Sequence, residues 1–259
     1  MEIEAIPAFR DNYLWLARAG RTAIVVDPGD AAPVAARLHE CGLRLAAILI
    51  THHHADHVGG LVKLAGTYAA PVYGPAHEAI EGVTHPVREG DWVELTDWEE
   101  APPLRFQVLE VPGHTLGHVA YYRPNTLFCG DTLFGAGCGR LFEGTPQQMW
   151  GSLARLAALP PDTLVYCAHE YTESNLQFAA VADPDNPALA ERRRQVAELR
   201  AAGRPSVPFR LAEELATNPF LRAGEPALRA AAAGMSGRQP ESATDSFAML
   251  RAWKDAFRA

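Results

Sequence analysis

The densest chemistry in the sequence lies in Thr51-His52-His53-His54-Ala55-Asp56-His57, four imidazoles and one carboxylate inside seven residues. Imidazole and carboxylate are the donors that Zn2+ and similar divalent metals accept. Burying so many polar groups without an ion would be costly, and an interior run is not an expression tag. His52 and His54 lie two apart and share a direction in extended backbone. The turn that follows carries Asp56 and His57 to a neighbouring position, and Gly59-Gly60 lets a helix begin close by. His53 is expected to point away and support the loop by hydrogen bonding.

Three further motifs follow β-like runs: Val111-Pro112-Gly113-His114-Thr115, Cys129-Gly130-Asp131 and Cys167-Ala168-His169-Glu170. All stand at the C-terminal ends of strands, so they can converge at one sheet edge. A lone strand-end histidine is usually an ordinary core or surface residue, but joint occurrence with the first cluster points to a binuclear centre. His52, His54 and His114 make one site, Asp56, His57 and His169 the other, and Asp131 can place an oxygen on each. Metals about 3.5–4 Å apart would lower the pKa of a bridging water enough to give hydroxide near neutrality. Asp56 and Asp131 are thus the expected catalytic residues, with the bridging hydroxide as nucleophile. His118 is expected to support the centre from behind. His39, His77 and His85 read as ordinary surface histidines.

The elements that must position these residues are mixed. β-like runs cover Glu2–Ile6, Asn12–Ala17, Thr22–Val26, Ala46–Ile50, Val72–Tyr73, Arg105–Val111, Val119–Arg123, Thr126–Cys129 and Thr163–Tyr166. They are rich in Val, Ile, Tyr, Phe and Leu. Helical stretches are expected over Ala31–Cys41, Gly60–Ala65, Pro75–Ala79 and Pro146–Ala158. This pattern predicts an α+β arrangement of layered sheets with helices outside. After Tyr171 clear strands disappear. Helical patterns cover Thr172–Val181, Pro187–Ala201, Leu211–Ala216, Glu225–Ala232 and Thr244–Phe257, the last opened by a capping box at Ser242-Ala243-Thr244-Asp245. The expectation is a catalytic domain over 1–171 and an all-helical domain over 172–259.

The chain has 259 residues, 48% hydrophobic and 21% charged, with a net charge of -8. It can build a sizeable core. Without a Lys/Arg cluster it is not expected to bind nucleic acid or a membrane surface. Cys41, Cys129, Cys138 and Cys167 form no C-x-x-C pair and are expected to be reduced. The N-terminus lacks a signal-peptide pattern and no window approaches a membrane span, so a cytoplasmic location is expected, and a monomer.

Thr-His-x-His-x-Asp-His, then Gly-His-Thr, Gly-Asp-Thr and a late His-Glu resemble the metallo-β-lactamase superfamily. Gly130-Asp131-Thr132-Leu133-Phe134, Gly137-Cys138-Gly139-Arg140, Phe142-Glu143-Gly144-Thr145, Ala168-His169-Glu170-Tyr171-Thr172 and Thr217-Asn218-Pro219-Phe220-Leu221-Arg222 are similar to the glyoxalase II (hydroxyacylglutathione hydrolase) family from end to end. That resemblance implies an αββα sandwich followed by a helical domain. It implies a binuclear-metal thioester hydrolase that converts S-D-lactoylglutathione, and other S-(2-hydroxyacyl)glutathiones, to D-lactate and glutathione in methylglyoxal detoxification. Two divalent ions are implied, Zn2+ foremost, with Fe and Mn also compatible with the donor set. By the same resemblance Arg140, Phe142 and Tyr171 contact glutathione, and Arg251 and Lys254, one turn apart on the last helix, hold its glycine carboxylate. Asn175, one turn beyond Tyr171, is a further contact candidate. Some members carry Tyr where this chain has Phe142, which cannot donate a hydrogen bond, and Lys where it has Arg140. Thiolate is a good leaving group, so no strong general acid is required. Cys138, beside the site in sequence, is read as structural rather than as a nucleophile. A lactamase has no place for the helical tail, a nuclease would want a basic surface, and a one-iron persulfide dioxygenase lacks the full second-site ligand set found here. A non-catalytic relative would have lost a ligand.

Overall fold

The computed structural model describes residues 1–96, 98–99 and 103–258. The chain folds as two compact units, Met1–Glu110 with Leu116–Gly130, and Val111–Thr115 with Asp131–Ala259.

The first unit runs β1 (Glu2–Ala8), β2 (Asn12–Ala19), β3 (Thr22–Val26), α1 (Ala31–Cys41), β4 (Arg44–Leu49), α2 (Ala55–Val58), α3 (Leu61–Tyr68), β5 (Val72–Pro75), β6 (His85–Val87), β7 (Trp92–Leu95), β8 (Leu104–Glu110), β9 (Val119–Arg123) and β10 (Thr126–Gly130). One sheet has the order β1-β2-β3-β4-β5-β6. Its first three strands are an antiparallel meander, and β3 to β6 run parallel. Parallel neighbours need a crossover, supplied by α1 and then by α2 with α3. β7 to β10 form a second, antiparallel layer.

Helix α1 shows how sequence sets this layering. The Asp30 side chain accepts from the Ala32 amide, Val34 and Leu38 bury one helix face, and Gly42 closes the helix at φ 61°. That face packs with Leu64 of α3 over Ala23 and Val25 of β3. Ile24 and Val26, pointing to the other side of the strand, are equally buried. A strand covered on both faces reads as a continuous apolar run, as Thr22–Val26 does. Tyr121 of β9 ties the layers together, its hydroxyl donating to the Ile50 carbonyl at 2.8 Å.

The second unit contains β11 (Leu133–Phe134), β12 (Gly137–Cys138), α4 (Pro146–Ala157), β13 (Leu164–Cys167), α5 (Thr172–Ala182), α6 (Pro187–Ala201), β14 (Phe209–Arg210), α7 (Leu211–Thr217), α8 (Pro226–Ser236) and α9 (Ala243–Ala256). β11 and β12 form a tight hairpin, and β13 pairs with β14 antiparallel.

Several expectations need correction. No helix covers Pro75–Ala79: pairing with β6 holds Pro75 extended opposite Val87, and the Ala76 amide donates to the Val87 carbonyl at 2.9 Å. The helix expected from Gly60 begins at Leu61 and reaches Tyr68. The tail is not purely helical, because Phe209–Arg210 adds a short strand to β13. At α9, Ser242 caps by accepting from the Asp245 amide, but the Asp245 carboxylate accepts from the Glu241 amide at 2.9 Å instead of completing the box. All four cysteines are free thiols. Among the described residues no helix is long and apolar enough to cross a membrane.

Candidate metal centre and substrate cleft

In the first unit the His/Asp run leaves β4 and closes through α2. The structure gathers His52, His54, Asp56 and His57 there. The His52 and His57 ring centres are 4.0 Å apart. His52 Nε2 and His54 Nδ1 approach to 3.1 Å, and Asp56 Oδ2 lies 3.5 Å from His57 Nε2. Asn12 Nδ2 donates to that same Asp56 oxygen at 2.9 Å.

Asp27, at the end of β3 with φ 49°, organises this cluster. Its Oδ1 accepts from the Thr51 amide at 2.8 Å and its Oδ2 from the Thr51 hydroxyl at 2.7 Å. With its hydrogen committed to Asp27, the Thr51 oxygen accepts from His52 Nδ1 at 3.0 Å, which leaves the His52 Nε2 lone pair facing outward. Asp27 Oδ2 also accepts from His57 Nδ1 at 3.1 Å, which leaves His57 Nε2 as the unprotonated nitrogen. One carboxylate thereby sets the tautomer of two imidazoles, as second partners of metal-binding histidines commonly do. Both rings are fully buried. The backing histidines behave as expected. His53 turns away to Glu78, 2.9 Å from its carboxylate, and buried His118 stacks on His52 at 4.6 Å. His39, His77 and His85 are exposed. Gly130 meets its neighbours too closely for any side chain: a Cβ there would come 2.3 Å from the Thr51 hydroxyl, and its φ is +48°.

The second unit gathers His114, Asp131 and His169, all buried. Asp131 Oδ2 lies 3.4 Å from His114 Nε2 and 3.4 Å from His169 Nε2. These distances exceed an ordinary hydrogen bond. One carboxylate oxygen set between two imidazole nitrogens at that spacing suits a carboxylate shared by two cations, one at each imidazole. His114 Nδ1 donates to the Arg140 carbonyl at 2.8 Å, so its Nε2 is the nitrogen left for a metal. Gly139 makes this packing possible, since a Cβ there would come 2.0 Å from the Asp131 carbonyl oxygen. Tyr171 stacks on His169 with ring centres 4.7 Å apart, and Phe142 meets His114 edge-on at 5.2 Å.

These residues open onto a cleft of about 500 Å³, within the usual size of a small-molecule site. All six residues expected to touch substrate line it: Arg140, Phe142, Tyr171, Asn175, Arg251 and Lys254. Their states differ. Phe142 is 62% exposed at the rim. Asn175 is buried and donates to the Gly135 carbonyl at 3.1 Å. Arg251 is buried with its guanidinium largely committed, Nη1 to the Cys138 carbonyl at 3.0 Å and Nη2 to Asp255 at 2.8 Å, over the Phe220 ring. Its Nε is buried without a hydrogen-bond partner. Burial and then the nearby Arg251 and Arg140 charges push the Lys254 pKa down. A cleft lined by Arg140, Arg251, Lys254 and Arg258 suits an anion. Burial pushes the Cys138 thiol up to about 11, so it stays neutral and unsuited to nucleophilic attack.

A buried network holds the β11–β12 hairpin between Asp131 and Arg140. The hairpin tip, Ala136, has φ 51°, and its amide donates to Glu214 Oε2 at 2.9 Å. Asn218 Nδ2 donates to the Gly137 carbonyl at 2.9 Å and to Glu214 Oε2 at 2.8 Å. Arg192 pairs with the other Glu214 oxygen and donates to Thr217. Burial raises the Glu214 pKa against the pull of Arg192 and these donors. Asp27, Glu214 and Asp255 contact residues in and beside the site, and sequence reasoning passed over them. Only Asp27 carried a signal, as an acid at the end of a β-run like the candidate ligand Asp131.

Comparison with known proteins agrees with this geometry. Residues 9–169 match the metallo-beta-lactamase superfamily model, and residues 170–257 match the hydroxyacylglutathione hydrolase C-terminus model. The hydroxyacylglutathione hydrolase of Alkalilimnicola ehrlichii is 57% identical over 98% of this chain and 98% of its own. That of Dechloromonas aromatica is 54% identical over 99% of this chain and all of its own. Among solved structures, BLEG-1 B3 metallo-beta-lactamase shares the fold with a TM-score of 0.63 at 22% identity, covering 85% of this chain and 99% of its own.

Proposed function

The chain belongs to the hydroxyacylglutathione hydrolase family of the metallo-β-lactamase superfamily, and on that premise we propose that its two half-sites together hold two divalent metal ions beside a glutathione cleft. The activity is hydroxyacylglutathione hydrolysis, in which water splits a thioester such as S-D-lactoylglutathione into D-lactate and glutathione. His52, His54 and His114 would hold one ion, Asp56, His57 and His169 the other, with Asp131 shared. The single observation that carries this is the Asp131 oxygen held between two imidazole nitrogens that each keep 3.4 Å away. The donor set fits Zn2+ foremost and also Fe or Mn. When bound, such ions supply hydroxide at neutral pH and a positive field for a developing oxyanion.

The chain's own residues do the rest. Asp27 and Thr51 fix the imidazole tautomers so that His52 and His57 each keep an Nε2 lone pair for a metal. Asp56 and Asp131 balance the positive charge of the centre and keep the nucleophile in place. Arg140, Phe142, Tyr171 and Asn175 contact the glutathione part, and Arg251 and Lys254 hold its glycine carboxylate. The departing glutathione thiolate has an ordinary thiol pKa of about 8.5, so it leaves without a dedicated acid. The metal-binding catalytic domain covers 1–171 and the glutathione-binding domain 172–259, in a monomeric cytoplasmic enzyme.

The test is steady-state kinetics on S-D-lactoylglutathione. Arg251→Ala and Lys254→Ala should each raise KM by about ten-fold, the worth of one charge-assisted contact, with kcat changed much less. An unchanged KM in both variants would remove the clamp from this reading.

A further inference from the structure

Phe9 is a bulky apolar residue in a place that suits neither its backbone nor its side chain. Strands β1 and β2 close at the Ala8–Asn12 pair, which leaves Phe9-Arg10-Asp11 as the hairpin tip. Phe9 stands there at φ 53°, in the left-handed region that favours glycine or asparagine, and it is 62% exposed. Backbone held in that region by a large side chain is costly, and such residues cluster where ligands are handled.

The neighbours of Phe9 point to the ligand. The same hairpin end carries Asn12, which donates to Asp56 Oδ2 at 2.9 Å. Gly29 lies between the Phe9 ring and the Asp56 backbone. A Cβ at Gly29 would come 2.9 Å from Phe9 Cε2 and 1.8 Å from the Asp56 carbonyl oxygen. The ring therefore stands beside the loop that carries Asp56 and His57, with most of its surface in solvent. The residues assigned to glutathione, from Arg140 to Lys254, all belong to the second unit. A thioester carbonyl carbon bears its acyl substituent on the side away from sulfur, and hence away from the glutathione part. Resting on the reading proposed above, we infer that Phe9 is a specificity-determining residue for the acyl group, its exposed ring packing against an apolar or aryl substituent of the 2-hydroxyacyl chain. Ring–ring contact rewards an aryl substituent beyond the area it buries, whereas a lactoyl group offers only a methyl.

The alternative is that Phe9 merely braces the Asp56 loop through Gly29. Its removal would then depress every thioester alike and release metal. Phe9→Gly and Phe9→Asn separate the two, because both residues accept the left-handed backbone and both delete the ring. The readout is kcat/KM for S-D-mandeloylglutathione, in which phenyl replaces the lactoyl methyl, relative to that for S-D-lactoylglutathione, with metal content measured on the same samples. The ratio is expected to fall by about ten-fold in both variants, the worth of one ring–ring contact with its buried area, and the metal content to match that of the natural chain. A ratio unchanged in either variant, an equal loss on both thioesters with loss of metal, or hydrolysis of the lactoyl compound alone by the natural chain overturns the inference. If the natural chain hydrolyses neither compound, the glutathione reading itself fails and the inference with it.

Discussion

Replacing Asp131 by alanine is expected to lower kcat for S-D-lactoylglutathione by about 10³-fold or more, because it removes the proposed shared ligand of both ions. The reason is positional. Asp131 Oδ2 lies 3.4 Å from both His114 Nε2 and His169 Nε2, so alanine removes an oxygen from between the two imidazoles. Metal content measured on the same preparation should fall below two ions per chain. Asp131→Asn keeps the shape of the side chain and should show most of the same loss, which separates charge from packing. Near-normal turnover with full metal content in either variant would sink the proposed role of this residue.

The second large effect concerns stability. Glu214→Ala should destabilise the folded chain by about 3–5 kcal/mol, because it strands a buried arginine without its counter-charge. Glu214 is fully buried and Arg192 nearly so. The loss also unties the Ala136 amide and one Asn218 contact, so the hairpin carrying Phe134 and Cys138 should loosen. Urea denaturation reads the first effect. The double variant Glu214→Leu with Arg192→Met should recover much of the stability, since a buried ion pair can be replaced by apolar groups of similar volume. A single-variant loss below about 1 kcal/mol would mean that the network is not what holds the hairpin.

The site was far more legible in the sequence than its support. His52, His54, His114, Asp131 and His169 stand out because each follows an apolar run, and a histidine or acid at that position is conspicuous. Asp27 follows Thr22–Val26 in the same manner, yet Asp27-Pro28-Gly29 reads as turn punctuation, and its bonds to Thr51 and His57 arise only when β3 and β4 lie side by side. Glu214 and Arg192 were invisible for a different reason. They lie among other charged residues on α7 and α6, and only tertiary packing buries these two while leaving their neighbours in water. Asp255 reads as a routine helix charge until the cleft is seen around it. The fold followed the same division. Long periodic elements such as α1 and α6 were legible to the residue, whereas the short strands β6, β7 and β14 depend on partners distant in sequence. The false helix at Pro75–Ala79 has that origin too, since β6 fixes the local backbone.

Metal dependence tests the central claim most directly. Protein stripped with a chelator and then titrated with Zn2+ can be followed for bound metal and for S-D-lactoylglutathione hydrolysis in the same samples. The predicted result is no turnover in the stripped protein and a rise that reaches its plateau at two ions per chain. Full turnover without metal, or a plateau at one ion, would contradict a binuclear centre built from these seven ligands.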